Sequence, residues 1–470
     1  MIFNSVTFFI FLAVFLALYW LARARQRNVL LLIGSYVFYG WWDWRFLGLI
    51  AISTVVDFSI ARGIASQTNA AIRQRLLWFS IGVNLGILGV FKYFNFFTDS
   101  LVNTLDTVGI SIGGPTINIL LPVGISFYTF QTISYSFDVF RERIEPAKSI
   151  LDFATYVAYF PQLVAGPIER ASHLLPQIID PESRKFPNSE RRMEAARLII
   201  GGLFKKVVLA DGAAPVANAA FDDPSQWSFL VLLLGVVAFS IQIYGDFAGY
   251  SDIARGVSLL LGINLVVNFS EPYLSRNITE FWRRWHISLS DWLRDYLYIP
   301  LGGNRKGSAK TYRNLFLTML LGGLWHGASF NFVIWGALHG VFLAIHKLIG
   351  GTAPTNEPKL RELPNILGTF ALVNLAWLFF RAETFESAID MLTAIITLQQ
   401  GDLPLGFFAT ILVLGSLTIA IDLWQRSQLK TATPRRRMSP ELAGSVIAAS
   451  FVGILVFSGG TPQPFIYFQF

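Results

Sequence analysis

The chain has 470 residues, 53% of them hydrophobic and 14% charged, with a mean hydropathy of +0.51. Soluble domains average about 25% charged residues, so a soluble globular protein is excluded and a polytopic membrane protein indicated. The absence of cysteine excludes a thiol acyl-enzyme, a disulfide framework and a Cys-ligated metal site, and the formal charge of +7 does not point to nucleic acid, because the basic residues sit in short loops between apolar segments, where they orient helices.

In chain order, the stretch "MIFNSVTFFIFLAVFLALYWLARARQR" lacks a basic region ahead of its apolar run, and Arg23, Arg25 and Arg27 follow it. It reads as a retained first helix with its N-terminus outside, not as a signal peptide. Further apolar segments lie near 28–42, 45–61, 76–97, 117–139, 151–166, 195–213, 227–247, 251–268, 312–326, 329–349, 364–381, 403–424 and 442–459. Several are shorter than the ~20 residues a straight span requires, so roughly ten to twelve true spans are expected, with re-entrant or interfacial pieces among them. The loops Arg23–Arg27, Arg62–Arg75, Arg141–Lys148, Arg305–Arg313, Lys347–Arg361 and Arg426–Arg437 are basic and expected in the cytoplasm. The loops around Asp99–Asp106 and Glu383–Asp402 carry mostly acid and are expected outside, as is the C-terminal Phe470. The region from about 151 to 300 does not alternate cleanly and is expected to hold the re-entrant helices. The polar stretch 168–194 reads as an ordered cytoplasmic loop, with His173 solvated in it. No internal repeat is evident, and 1–470 reads as one membrane domain.

The segment "TEFWRRWHISLSDWLRDYLYIPLGGNRKG" (279–307) places Phe281, Trp282, Trp285, Leu289, Trp292, Leu293 and Tyr296 on one face at helical spacing. Arg283, His286, Ser290, Arg294 and Asp295 take the other side. An interfacial amphipathic helix accounts for this pattern; so does a helix that turns His286 and Arg283, at i and i+3, toward an internal cavity. His326 interrupts "NLFLTMLLGGLWHGASFNFVIWGALHG". With a helix starting near Tyr312, it lies about 21 Å along the axis, within a hydrocarbon core about 30 Å thick. Ionisable groups at that depth face a bundle interior or a watery cavity, and Gly322, Gly323 and Gly327 permit close approach of other backbone or of a substrate. A buried histidine bridging helices is the competing reading. His339 and His346, seven apart on one face, lack a carboxylate at ligand spacing, so no metal site is expected. Asp246 and Asp252 in "IYGDFAGYSDIARG" fit cavity lining or pairing with Arg255. No GxSxG elbow, P-loop or dinucleotide fingerprint is present. The residues alone therefore reach a membrane-embedded base catalyst or proton relay.

At "FWRRWHISLSDWLRDYLYIPLGGNRKG" and "GGLWHGASFNFVIWGALHG" the chain resembles the membrane-bound O-acyltransferase family, in its bacterial alginate O-acetyltransferase-like branch. "LLLIGSYVFYGWW", "LPVGISFYTFQTISYSFDVFR", "YFPQLVAGPIER", "YGDFAGYSDIARG" and "FIYFQF" extend the resemblance over essentially the whole chain. It implies an all-α ring of helices around a thin central tunnel, with His326 as catalytic base and His286 as the second site histidine. Gln162 stands where some members have His. Arg283, Trp325, Asn304, Asp252 and Gln162 are taken as substrate-binding candidates, and the "GGNRKG" loop as either a phosphate contact or a cytoplasmic anchor. The implied donor is acetyl-CoA, with no bound cofactor or metal. The implied setting is a bacterial inner membrane, with membrane lipid, a polysaccharide acceptor and periplasmic acetyltransferase or SGNH-hydrolase-like partners. D-alanyl transfer to an envelope polymer, a polysaccharide-export transporter and a non-catalytic scaffold are the alternatives.

Overall fold

The computed structural model describes residues 1–111, 119–354, 359–429, 440–457 and 465–466, and these are helical with no strand among them. Among the described residues, six helical stretches are long and apolar enough to cross a membrane: Ala24–Ser66, Ala70–Thr107, Phe229–Leu260, Phe330–Leu348, Leu363–Arg381 and Leu405–Gln425. The all-α membrane class follows directly. Val6–Leu21 is apolar but shorter, at 16 residues. Its Phe8, Leu12, Phe15 and Tyr19 are buried, whereas Val6, Ile10, Val14 and Leu18 are exposed. A helix apolar on both its covered and its uncovered face has hydrocarbon for solvent.

Two compact units divide the chain, Met1–Ala195 with Ala254–Val266, and Ala196–Ile253 with Val267–Phe470. In the first, the helices Leu47–Ser66, Ala70–Leu88 and Ile125–Phe140 enclose a buried polar knot. The Asp57 carboxylate accepts from Ser80 Oγ (2.5 Å), Asn84 Nδ2 (2.8 Å) and Ser136 Oγ (3.2 Å), while Thr132 Oγ1 donates to Asn84 Oδ1 (3.0 Å). A carboxylate held away from water is tolerated only with its lone pairs so occupied.

The second unit is organised by the helix Phe229–Leu260, as far as Ile253, and by the antiparallel pair Ser308–His326 and Phe330–Leu348. The pair owes its closeness to glycine. A Cβ at Gly323 would collide with the Phe332 carbonyl oxygen and lie 3.1 Å from Gly336 Cα, and one at Gly336 would collide with the Met319 carbonyl. Small residues at such crossings let backbones touch, so it is neighbouring backbone, not substrate, that occupies the space beside Gly323.

Several expectations change. The segments 227–247 and 251–268 are one 32-residue helix as far as Leu260, because Gly245 and Gly249 serve helix contact: a Cβ at Gly249 would lie 2.6 Å from the Gly202 carbonyl oxygen. Asp99–Asp106 lies within the Phe94–Thr107 helix instead of a loop. The 168–194 stretch contains the helix Ala171–Ile179, and His173 Nδ1 sits 2.7 Å from Glu169 Oε2, whose hydrogen bond raises its pKa. Most of the Arg426–Arg437 loop, and Phe470, lie outside the described residues.

Candidate active site

The 279–307 segment is not one amphipathic helix. It breaks into Ile278–Arg284, Ile287–Leu293 and a π-helical turn Arg294–Tyr298. The first break falls at His286, which adopts φ +43° and ψ +56°, a left-handed conformation that costs a residue bearing a Cβ roughly 1–2 kcal/mol. Asn268 holds the break. Its carbonyl oxygen accepts from Ile287 N (2.9 Å), and its side-chain Oδ1 accepts from Ser288 N (3.2 Å) and Ser288 Oγ (2.9 Å).

That arrangement also fixes the imidazole. A backbone N–H can donate only to an oxygen, so the atom facing Ser288 N is Oδ1. The same Oδ1 lies 3.2 Å from His286 Nδ1, which must then carry the proton, leaving the lone pair of the neutral ring on Nε2. Burial pushes the His286 pKa down to about 3, so the ring is neutral throughout the physiological range.

His326 is the last residue of Ser308–His326. The helix begins four residues before Tyr312, because Gly307, at φ +88°, starts it there. His326 therefore lies about 27 Å along the axis, not 21 Å. The two imidazoles are brought together: His286 is 0% and His326 4% exposed, with ring centroids 6.4 Å apart. Trp325 lies against both, at 5.9 Å from His286 and 4.9 Å from His326. Trp335 (4.9 Å) and Phe380 (5.4 Å) complete the wall around His326, and Phe247 (4.6 Å) packs edge-on to His286. The result is a pair of imidazoles in an aromatic cage, a setting in which proton transfer and charge stabilisation are little screened.

The short helix before His286 is anchored by ions. Glu280 accepts from Arg276 N (2.8 Å), Arg276 Nε (3.0 Å), Arg276 Nη2 (3.0 Å) and Arg284 Nη2 (2.8 Å). Arg276 also reaches Glu362 (3.2 Å) and Arg284 reaches Glu271 (3.2 Å). Arg283, expected beside His286, is exposed; the break at Trp285–His286 turns Arg284 inward in its place.

The remaining expected residues divide. Asn304 is exposed in the turn after Gly303. Asp252 pairs with Lys205 Nζ at 2.8 Å, and Asp246 with Lys206 at 2.9 Å while accepting from Ile466 N at 2.6 Å. Gln162 is buried in the first unit, its Nε2 donating to the Tyr156 carbonyl (3.0 Å). His339 and His346 part company: His346 Nδ1 meets Thr279 Oγ1 (2.8 Å), whereas His339 Nδ1 accepts from Trp282 Nε1 (3.3 Å) inside the aromatic cluster. Among the described residues no group of three or more His, Asp or Glu is gathered as a metal would require. Sequence reasoning missed Trp335, Phe380 and Asn268. Trp335 and His339, four apart in "WGALHG", did carry a signal in their shared helix face.

Residues 37–389 match the family model for membrane-bound O-acyltransferases. The chain is 42% identical to a probable alginate O-acetylase AlgI of Pseudomonas putida, over 100% of both proteins. It is 37% identical to a peptidoglycan O-acetyltransferase of Helicobacter pylori, covering 85% of this chain and 80% of that one. With a teichoic acid D-alanyltransferase of Streptococcus thermophilus it shares 30% identity over 57% of this chain and 70% of the relative.

Proposed function

The chain belongs to the membrane-bound O-acyltransferase family and is a membrane O-acyltransferase, and we propose that it takes acetyl from cytoplasmic acetyl-CoA and delivers it to an extracytoplasmic hydroxyl, with His326 as general base. The observation that carries this reading is the buried His286–His326 pair, 6.4 Å apart in an aromatic cage. The acceptor O–H attacks the acyl carbonyl carbon while His326 removes its proton, an assistance worth typically ~10²–10⁴-fold in rate. His286, neutral and locked by Asn268 with its lone pair on Nε2, orients a hydroxyl or the acyl donor. Trp325 walls both. Asn304, with Arg305 and Lys306 in an exposed turn, has the chemistry to meet CoA phosphates.

The acetylase names of the P. putida and H. pylori relatives, which cover 100% and 85% of this chain, favour acetyl over D-alanyl, since the D-alanyltransferase relative covers 57%. The acceptor in this reading is an alginate-type polysaccharide, reached directly or through a periplasmic acetyltransferase partner. The setting is a single domain in the bacterial inner membrane: a ring of roughly ten to twelve spans around a thin tunnel, N-terminus outside, with short elements such as Ile278–Arg284 between the spans. Purified protein in detergent with acetyl-labelled acetyl-CoA is the test. Acetyl transfer, or slow donor hydrolysis, is the expected result. Transfer of D-alanine but not acetyl, or polysaccharide flux without transfer, would overturn it.

A further inference from the structure

Trp335 stands next to the proposed base with His339 beyond it, and neither has a part in the chemistry proposed for that base. Both are buried, 1% and 0% exposed, and Trp335 lies between the two imidazoles, its ring 4.9 Å from His326 and 4.8 Å from His339. The His339 tautomer follows from its neighbour. The Trp282 indole nitrogen can only donate, and it donates to His339 Nδ1 at 3.3 Å, so in the neutral ring the proton is on Nε2. His339 is thus the tautomeric opposite of His286, presenting an N–H where His286 presents a lone pair. Neither His339 Nε2 nor Trp335 Nε1 has a hydrogen-bond partner among the described residues. Buried donors are nearly always satisfied, and two unsatisfied N–H groups, in rings that touch each other and of which one lies against His326, call for an acceptor supplied from elsewhere.

We infer that Trp335 Nε1–H and His339 Nε2–H hold the carbonyl oxygen of the acyl thioester as it becomes an oxyanion. The inference rests on the acyl-transfer reading. The hydroxyl oxygen of the acceptor bonds to the carbonyl carbon, its proton passes to His326, and the C=O π pair moves onto oxygen, where the two N–H groups receive it. Collapse re-forms C=O and breaks the C–S bond, and the leaving thiolate takes the proton back from His326. Donors placed for the oxyanion act mainly in the transition state.

The experiment compares Trp335→Phe, His339→Leu and His339→Gln with His326→Gln, reading kcat and KM for acetyl-CoA separately, with protein level in membranes as control. Trp335→Phe keeps an aromatic ring but has no N–H; His339→Leu removes the donor; His339→Gln accepts from Trp282 and still donates. The expected result is a kcat about 10²–10³-fold lower in Trp335→Phe and in His339→Leu, the range seen when one oxyanion donor is removed, with KM little changed. His339→Gln should recover most of the rate. If Trp335→Phe does not accumulate, the Leu and Gln variants at 339 decide the matter. Loss in His326→Gln together with wild-type kcat in Trp335→Phe and His339→Leu would overturn this inference alone; full activity in His326→Gln would overturn the base assignment beneath it.

Discussion

Replacing Glu280 by Gln removes one negative charge and keeps the shape of the side chain. The carboxylate is buried, as is Arg276, and it accepts four hydrogen bonds from Arg276 and Arg284. Deleting one partner of a buried ion pair costs ~3–5 kcal/mol. Here Glu362 remains beside Arg276 and Glu271 beside Arg284, so the lower end applies: about 3 kcal/mol, or roughly a 10²-fold fall in the folded-to-unfolded ratio. The pH dependence has a definite sign. Burial pushes the Glu280 carboxyl up, but hydrogen bonds from Arg276 and the charges of Arg284 and Arg276 outweigh it and hold its pKa below 4.5. A depressed carboxyl contributes stability that is complete above the unfolded pKa and lost as pH falls through the folded one. Unfolding followed by tryptophan fluorescence in mixed micelles should show the gap between wild type and Glu280→Gln largest near pH 7 and shrinking below about pH 4.5. Equal stability at pH 7, or a gap that widens on acidification, would refute the claim that this network holds the segment leading to His286.

Three further outcomes are expected. His326→Gln retains a hydrogen-bonding group but takes no proton at neutral pH, so labelled-acetyl transfer should fall ~10²–10⁴-fold at normal membrane levels; robust transfer would remove His326 from the chemistry. Gly323→Val should prevent accumulation of folded protein, because its side chain would meet the Phe332 backbone instead of a movable side chain; normal expression and activity would show that the two helices can separate. Ala70→Cys, in a chain without native thiols, should react with a membrane-impermeant maleimide only after the cytoplasmic side is opened, and labelling of intact cells from the periplasm would invert the threading.

How much of this was legible in the sequence differs by residue. The placing of His326 in the interior was, because an imidazole in an apolar run is costly unless it faces a bundle interior or a cavity; the glycines around it were misread as room for a substrate, since Gly323 meets backbone and Gly327 the Phe332 ring. His286 was found for an incomplete reason. Its spacing from Trp282, Trp285 and Leu289 suits a continuous helix, and nothing local says that Asn268, 18 residues earlier, interrupts that helix through Ile287 and Ser288. The exchange of Arg283 for Arg284 is the direct result, since a left-handed residue rotates everything before it relative to everything after. Gly245 and Gly249 look like breakers in sequence and are contact residues in space. The tautomers of His286 and His339 depend on partners distant in the chain, and no periodicity reports them.

The left-handed backbone at His286 has a consequence for how this position drifts under mutation. Glycine would adopt φ +43° without the steric cost that any Cβ brings, but it would empty the space that the buried imidazole fills against Phe247 and Trp325. A core void of that kind costs ~2–5 kcal/mol, more than the ~1–2 kcal/mol of strain relieved. Packing thus holds the residue in a backbone conformation it does not favour. A descendant chain that kept its membrane fold but no longer needed the reaction should therefore keep a side chain that fills this space, and position 286 would change more slowly than the loss of the chemistry alone would allow.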